Sequence, residues 1–145
     1  MTQEEKQLLL IDLCARLPYG VKGKLYNSNY TAILKDVRYS CFYPLLVRPL
    51  ECPLTNDECS LGVDEFRPYL RPMSSMTVAE EYEYHQCKNI DCLEISEMEH
   101  AEMLKATALF FSRATDWLLA NHFDFRGLIP LGLALEAPEG MYNKN

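Results

Sequence analysis

The sequence predicts an α+β fold: a small antiparallel sheet of three to four strands packed against an N-terminal helix and a long C-terminal helix. Three observations carry this reading. Apolar residues recur at helical spacing near the start of the chain and again after residue 96. Between these stretches, two runs rich in branched and aromatic residues, 21–26 and 30–39, flank Asn27-Ser28-Asn29, whose asparagines tolerate the positive φ of a tight turn. With 48% hydrophobic and 24% charged residues in 145 positions, the chain is expected to form one globular domain spanning 1–145. A chain of this size buries roughly two-thirds of its unfolded surface.

The first helix opens at Thr2. Thr2-x-x-Glu5 has capping-box spacing, in which hydroxyl and carboxylate satisfy each other's backbone donors. Leu9, Leu10, Leu13 and Leu17 follow on one side, and Pro18 with Gly20 ends the helix. Residues 21–26 and 30–39 read as a hairpin. Residues 41–47 read as a third strand, which Pro44 assigns to an edge or a bulge.

The prolines and polar residues of 49–62 read as a loop, and 50–63 as an insertion. Residues 66–73 are expected to be extended, because each proline biases the residue before it away from helix; they would add a fourth strand at a sheet edge.

Thr77-x-x-Glu80 is a second capping box, opening a short helix over 78–86. Ser96-x-x-Glu99 is a third, opening a helix that runs to Asn121. On that helix Leu104, Ala108, Phe111 and Leu118 form one stripe and Met103, Phe110 and Trp117 the next, so a wide apolar face is expected to be buried with Trp117 as an anchor. Asp124 is a candidate cap, and Pro130 suits the first turn of a short helix within 128–135. Residues 141–145 read as a frayed tail.

Charge is the sharpest functional clue. The net charge of −7 lies wholly within residues 77–102, which hold eight acids and one base, whereas both flanks sum to zero. A pooled acidic field attracts a cationic partner and repels phosphate, so nucleic-acid binding is not expected. Glu80, Glu81, Glu83, Glu94, Glu99 and Glu102 are the candidate partner-binding residues. Arg67 and Arg71, four apart in an extended segment, point the same way with Tyr69 between them, and form a weaker candidate anion site. The competing reading pairs these arginines with the acidic helix.

Metal and catalytic chemistry find little support. Cys52-x6-Cys59 and Cys87-x4-Cys92, with His85 nearby, offer soft ligands, but structural zinc knuckles favour two to four intervening residues and the x6 spacing is too long, leaving these four cysteines as weak metal candidates. Glu97-x-x-His100 matches the carboxylate di-iron pattern once, where two copies are required. No nucleophile elbow, phosphate cradle or dinucleotide fingerprint is present, so a non-enzymatic role without a cofactor is favoured. The N-terminal residues lack a basic region leading into an apolar core, and no apolar run reaches the ~18 residues of a membrane span. A soluble, cytoplasmic protein that does not bind membranes is expected.

Residues 66–77 (Phe-Arg-Pro-Tyr-Leu-Arg-Pro-Met-Ser-Ser-Met-Thr) and 123–142 (Phe-Asp-Phe-Arg-Gly-Leu-Ile-Pro-Leu-Gly-Leu-Ala-Leu-Glu-Ala-Pro-Glu-Gly-Met-Tyr) resemble segments of small uncharacterised proteins encoded by gut anaerobic bacteria and their phages. Residues 8–21 are similar too. The resemblance implies a phage or mobile-element context in a bacterial host and assigns no activity. The leading expectation is an accessory protein that binds a host macromolecule with a basic surface through its acidic face. The alternatives are a binder or sequesterer of a small anionic ligand, and a thiol or zinc protein. A homo-oligomer is left open.

Overall fold

The computed structural model describes residues 1–26, 28–38, 42–50, 57–87 and 100–142. Helix α1 spans Gln3–Arg16 and opens as its sequence predicts: Glu5 N–H donates to Thr2 Oγ1 at 3.1 Å and Thr2 N–H donates to Glu5 Oε2 at 2.8 Å. A single 3₁₀ turn over Leu17–Tyr19 follows, and Gly20 reverses the chain at φ 66°.

The strands are β1 (Lys22–Leu25), β2 (Thr31–Val37), β3 (Leu45–Pro49), β4 (Cys59–Leu61), β5 (Phe66–Leu70) and β6 (Leu135–Glu136). Helix α2 is Val78–Cys87 and α3 is His100–Ala120. Among the described residues the sheet has six strands in the order β4-β3-β2-β1-β5-β6. All neighbours are antiparallel except β5 and β6, which are parallel.

Burial alternates along the strands as a half-covered sheet requires. Ala32 and Leu34 of β2, Leu45 and Val47 of β3, and Phe66 and Leu70 of β5 are buried. They form one cluster with Leu9 and Leu13 of α1, Val21 and Leu128. The α+β class therefore holds, with a larger and mixed sheet in place of three to four antiparallel strands.

The two additional strands were hidden by their length. β4 lies inside the stretch read as an insertion loop, and three residues cannot display a period. β6 ends the apolar run read as a short helix from Pro130. That run instead turns: Asp124 accepts Leu128 N–H at 2.8 Å and Ile129 N–H at 2.9 Å, and Gly132, at φ 75°, sends the chain back toward β5.

Two strand positions also change. β3 starts at Leu45 and is an interior strand, because Pro44 precedes it and offers its carbonyl to Arg38 N–H at 2.7 Å. β5 is interior as well, hydrogen-bonded to β1 on one side and β6 on the other. The hairpin turn at Asn27, the start of the expected third strand at 41, and Ser96-x-x-Glu99 lie outside the described residues or reach into the undescribed stretches.

The largest departure concerns α3. Among its described side chains, full burial is confined to the last two turns, at Ala114, Leu118 and Leu119, whereas Leu104, Ala108 and Phe111 are exposed. A helix of 21 residues is about 31 Å long, and only its C-terminal end reaches the core. Trp117 is half-buried; it stacks on Phe123 at 5.7 Å and meets Tyr84 of α2 at 5.6 Å, so it joins the two helices to the loop after α3. No helix among the described residues is long and apolar enough to cross a membrane.

Candidate functional site: an acidic cleft

The loop that follows α3 folds back beside β5. Arg71 N–H donates to His122 O and Asp124 N–H donates to Arg71 O, both at 2.8 Å, so the end of β5 is fixed against residues 122–124. His122 adopts φ 63°, a left-handed conformation costly for most side chains, and a dense local network holds it there. Beneath this loop Asp12 accepts from Arg16 Nε at 2.7 Å and from Arg126 Nη1, while Arg16 Nη2 reaches Phe123 O at 2.7 Å.

The Arg71 guanidinium lies over the Phe123 ring, 4.2 Å from its centroid. It donates to both oxygens of Glu80, at 2.6 and 2.7 Å, the bidentate geometry that makes arginine–carboxylate pairs strong. Glu80 is also the third residue of α2. Its backbone N–H donates to Thr77 Oγ1, and its carboxylate accepts Thr77 N–H, both at 3.2 Å. One carboxylate thus closes a capping box and a tertiary ion pair. The Arg71 hydrogen bonds lower its pKa to about 2, against the opposing effect of burial.

Tyr142 closes the other side. Its hydroxyl donates to Tyr69 O at 2.8 Å and accepts Lys22 N–H at 3.0 Å, joining β1 to β5, while its ring stacks on His122 at 3.6 Å. Burial pushes the phenol up to about 12. Burial, aided by the charges of Arg16, Arg71 and Lys22, lowers His122 to about 4, so its imidazole is neutral at pH 7. Glu80 is therefore held ionised, and Tyr142 and His122 are held neutral, each titrating far from neutrality.

Between α2 and the 136–142 segment lies a cleft of about 580 Å³. Its lining includes Arg71, Thr77, Asn121 and Tyr142, with carboxylates from Glu80, Glu83, Glu136 and Glu139. Glu80 and Glu83, three apart on α2, face the same side. Among the described residues Arg71 is the only cation in the lining, and Glu80 pairs with it. Glu83, Glu136 and Glu139 have no cation within salt-bridge distance among the described residues.

The structure sorts the residues singled out from sequence. Glu80 and Glu83 line the cleft. Glu81 is exposed outside the lining with His85 Nε2 at 3.7 Å, and Glu102 is exposed on α3. Glu94 and Glu99 lie outside the described residues. Arg67 and Tyr69 on β5 and Arg71 just past its end alternate with the buried Phe66, Pro68 and Leu70 as their spacing predicts, but only Arg71 lines the cleft. Arg67 is exposed, and Tyr69 contributes its backbone carbonyl to Tyr142. The pairing of Arg71 with the acidic helix is observed.

Cys59 is half-buried in β4, its thiol pKa raised by burial and then by Glu65; Cys87 is half-buried at the end of α2. Cys52 and Cys92 lie outside the described residues. Among the described residues no three His, Cys, Asp or Glu side chains come together as a metal site.

Sequence reasoning missed Glu136 and Glu139. They belong to a flank whose charges sum to zero, and only the parallel pairing of β6 with β5 carries them to α2. The motif Leu135-Glu-Ala-Pro-Glu-Gly carries no local signal for that placement. No protein-family model matches the chain, and no curated protein or solved structure matches it either.

Proposed function

We propose that this chain is a non-enzymatic accessory protein, of the phage or mobile-element context its sequence resemblance implies, that captures a basic segment of a host macromolecule in the cleft between α2 and residues 136–142. The observation that carries the reading is the imbalance of the lining. Among the described residues, Glu83, Glu136 and Glu139 line the cleft with no cation in salt-bridge distance, and Arg71, the one described lining cation, is committed to Glu80. A lysine or arginine side chain entering there meets carboxylates on two walls. A small anion meets Glu83, Glu136 and Glu139 first, and finds the Nη1 and Nη2 groups of the Arg71 guanidinium already donating to Glu80, which counts against the anion-binding alternative.

The test is a titration of the purified chain with a fluorescent nona-arginine peptide over a range of salt concentrations. Neutralising Glu83, Glu136 and Glu139 together to Gln weakens binding roughly tenfold, since exposed pairs contribute about 0.2–1 kcal/mol each. A control that neutralises Glu4, Asp64 and Asp116, exposed acids outside the cleft lining, removes the same net charge and leaves affinity within about twofold. Equal weakening by both triple variants points to a diffuse field and sinks the proposal.

A further inference from the structure

Residues 137–142, one wall of the acidic cleft, form a strap tied at two points. Ala137 N–H donates to Leu70 O at 2.8 Å, and the Tyr142 hydroxyl engages Tyr69 O and the backbone groups of Lys22. Among the described residues these are the strap's only hydrogen bonds to the rest of the chain. Between the ties Pro138, Glu139 and Gly140 are exposed, in a turn closed by Met141 N–H on Pro138 O at 3.1 Å. Those three residues border two clefts, the acidic one and another of about 620 Å³ that Lys22, Thr31 and Leu50 help to line, so the turn has space to move into. A segment with so few anchors opens at lower cost than the sheet it leans on.

The second tie rests on His122. The imidazole stacks on the Tyr142 ring, with centroids 3.6 Å apart and planes 15° from parallel. His122 is 8% exposed, and its Nδ1 is buried without a hydrogen-bond partner among the described residues. Cations face it from three elements: Arg16 of α1, Lys22 of β1 and Arg71 at the end of β5. The nearby anions are committed. Asp12 is shared by Arg16 and Arg126, Glu80 is held by Arg71, and Asp124 accepts the N–H groups of Leu128 and Ile129. A neutral ring suits these surroundings and a charged one does not. An aromatic face attracts a cation, but the Tyr142 ring already has Lys22 Nζ 5.9 Å from its centroid. Burial and the three cations prevail, holding His122 down to about 4.

We propose that His122 is an acid-sensitive latch on the cleft: neutral, it seats Tyr142 and keeps the 137–142 wall closed; protonated, it sheds the Tyr142 ring to reach water, and the wall swings open about Ala137. The latch regulates the site assigned above to a basic segment, but it acts on the wall whatever the cleft captures. Its test therefore uses no ligand, and a failure of either reading leaves the other standing.

A proton NMR titration of the full chain from pH 7 to pH 3 reads the latch directly. The His122 ring signal titrates with a midpoint near 4, well below the ordinary 6.5. The Tyr142 ring signals, displaced by the stacked imidazole at pH 7, move to free-tyrosine positions with the same midpoint. Helical circular dichroism stays constant across that step. The wall's own carboxylates titrate in this range too, so Glu136→Gln with Glu139→Gln serves as the control and leaves both midpoints within about 0.3 pH units. Should the chain unfold before pH 4, Lys22→Gln takes its place. It removes one of the three cations, keeps the backbone groups that bind Tyr142, and raises both midpoints together. A His122 midpoint near 6.5, Tyr142 signals that stay put while His122 titrates, or a Tyr142 step abolished by the double Gln variant overturns the proposal. So does a Tyr142 midpoint that fails to follow His122 in Lys22→Gln.

Discussion

Glu80 serves two partners with one carboxylate. The Thr77-x-x-Glu80 box was legible in the sequence because both residues belong to one turn of helix. The Arg71 pair was readable only as one of two options, since a nine-residue gap fixes no geometry. The double engagement has a pH signature. Glu80 titrates near 2 in the folded chain and near 4.5 ordinarily, so the unfolded chain takes up its proton first as pH falls. The pair's contribution is complete above about pH 4.5 and is lost as the pH drops toward 2. Arg71→Gln removes the cause of the shift. In urea unfolding the variant is less stable than wild type at pH 7, and the gap narrows as the pH falls through 2. A gap of constant size from pH 7 to pH 2 means the pair is not what depresses Glu80.

The helices and the hairpin were foreseeable because each announces itself within a few residues: a cap, a period, a breaker. β4 and β6 were not, since strands of three and two residues exist only as partners of β3 and β5. The apolar face of α3 shows a different limit. Periodicity names the face that wants burial, but not how much of it the domain can cover. The contact of β1 with β5 gives a sharper element-scale prediction. Gly23 sits opposite Pro68, where an added Cβ would collide with the Phe66 ring and stand 2.7 Å from the Arg67 carbonyl. Phe66 is fully buried and cannot yield cheaply. Gly23→Ala therefore destabilises the sheet by about 1–3 kcal/mol, the usual cost of overpacking, although alanine is the better strand residue. A thermal midpoint equal to wild type would show that the two strands separate without penalty.

Across the whole molecule, one buried cluster ties the ends of the chain together. Asp12 and Arg16 of α1 are fully buried, and Arg126 and the carbonyl of Phe123 join them from more than a hundred residues away. Removing the only anion of this cluster leaves the Arg16 guanidinium buried and uncompensated. Asp12→Ala is expected to cost about 3–5 kcal/mol, read as a lower urea midpoint with the slope unchanged. Arg16→Met with Asp12→Leu, which removes both charges at similar volume, recovers much of that loss. The same long-range folding assembles the cleft, because the loop anchored by this cluster holds β5, Arg71 and residues 136–142 in place.

By itself the sequence determined the local features: where α1 and α2 begin, that 22–37 form a hairpin, that 66–70 are extended, and that acids crowd into 77–102. Each follows from steric and hydrogen-bonding preferences that act within a turn or a strand. Only the tertiary structure decided which carboxylates share a surface. It turned Glu81 and Glu102 away from the cleft, spent Glu80 on Arg71, and brought Glu136 and Glu139 across from a flank of zero net charge. Electrostatic fields add in space rather than along the chain, so the site is set by strand pairing that no local pattern encodes.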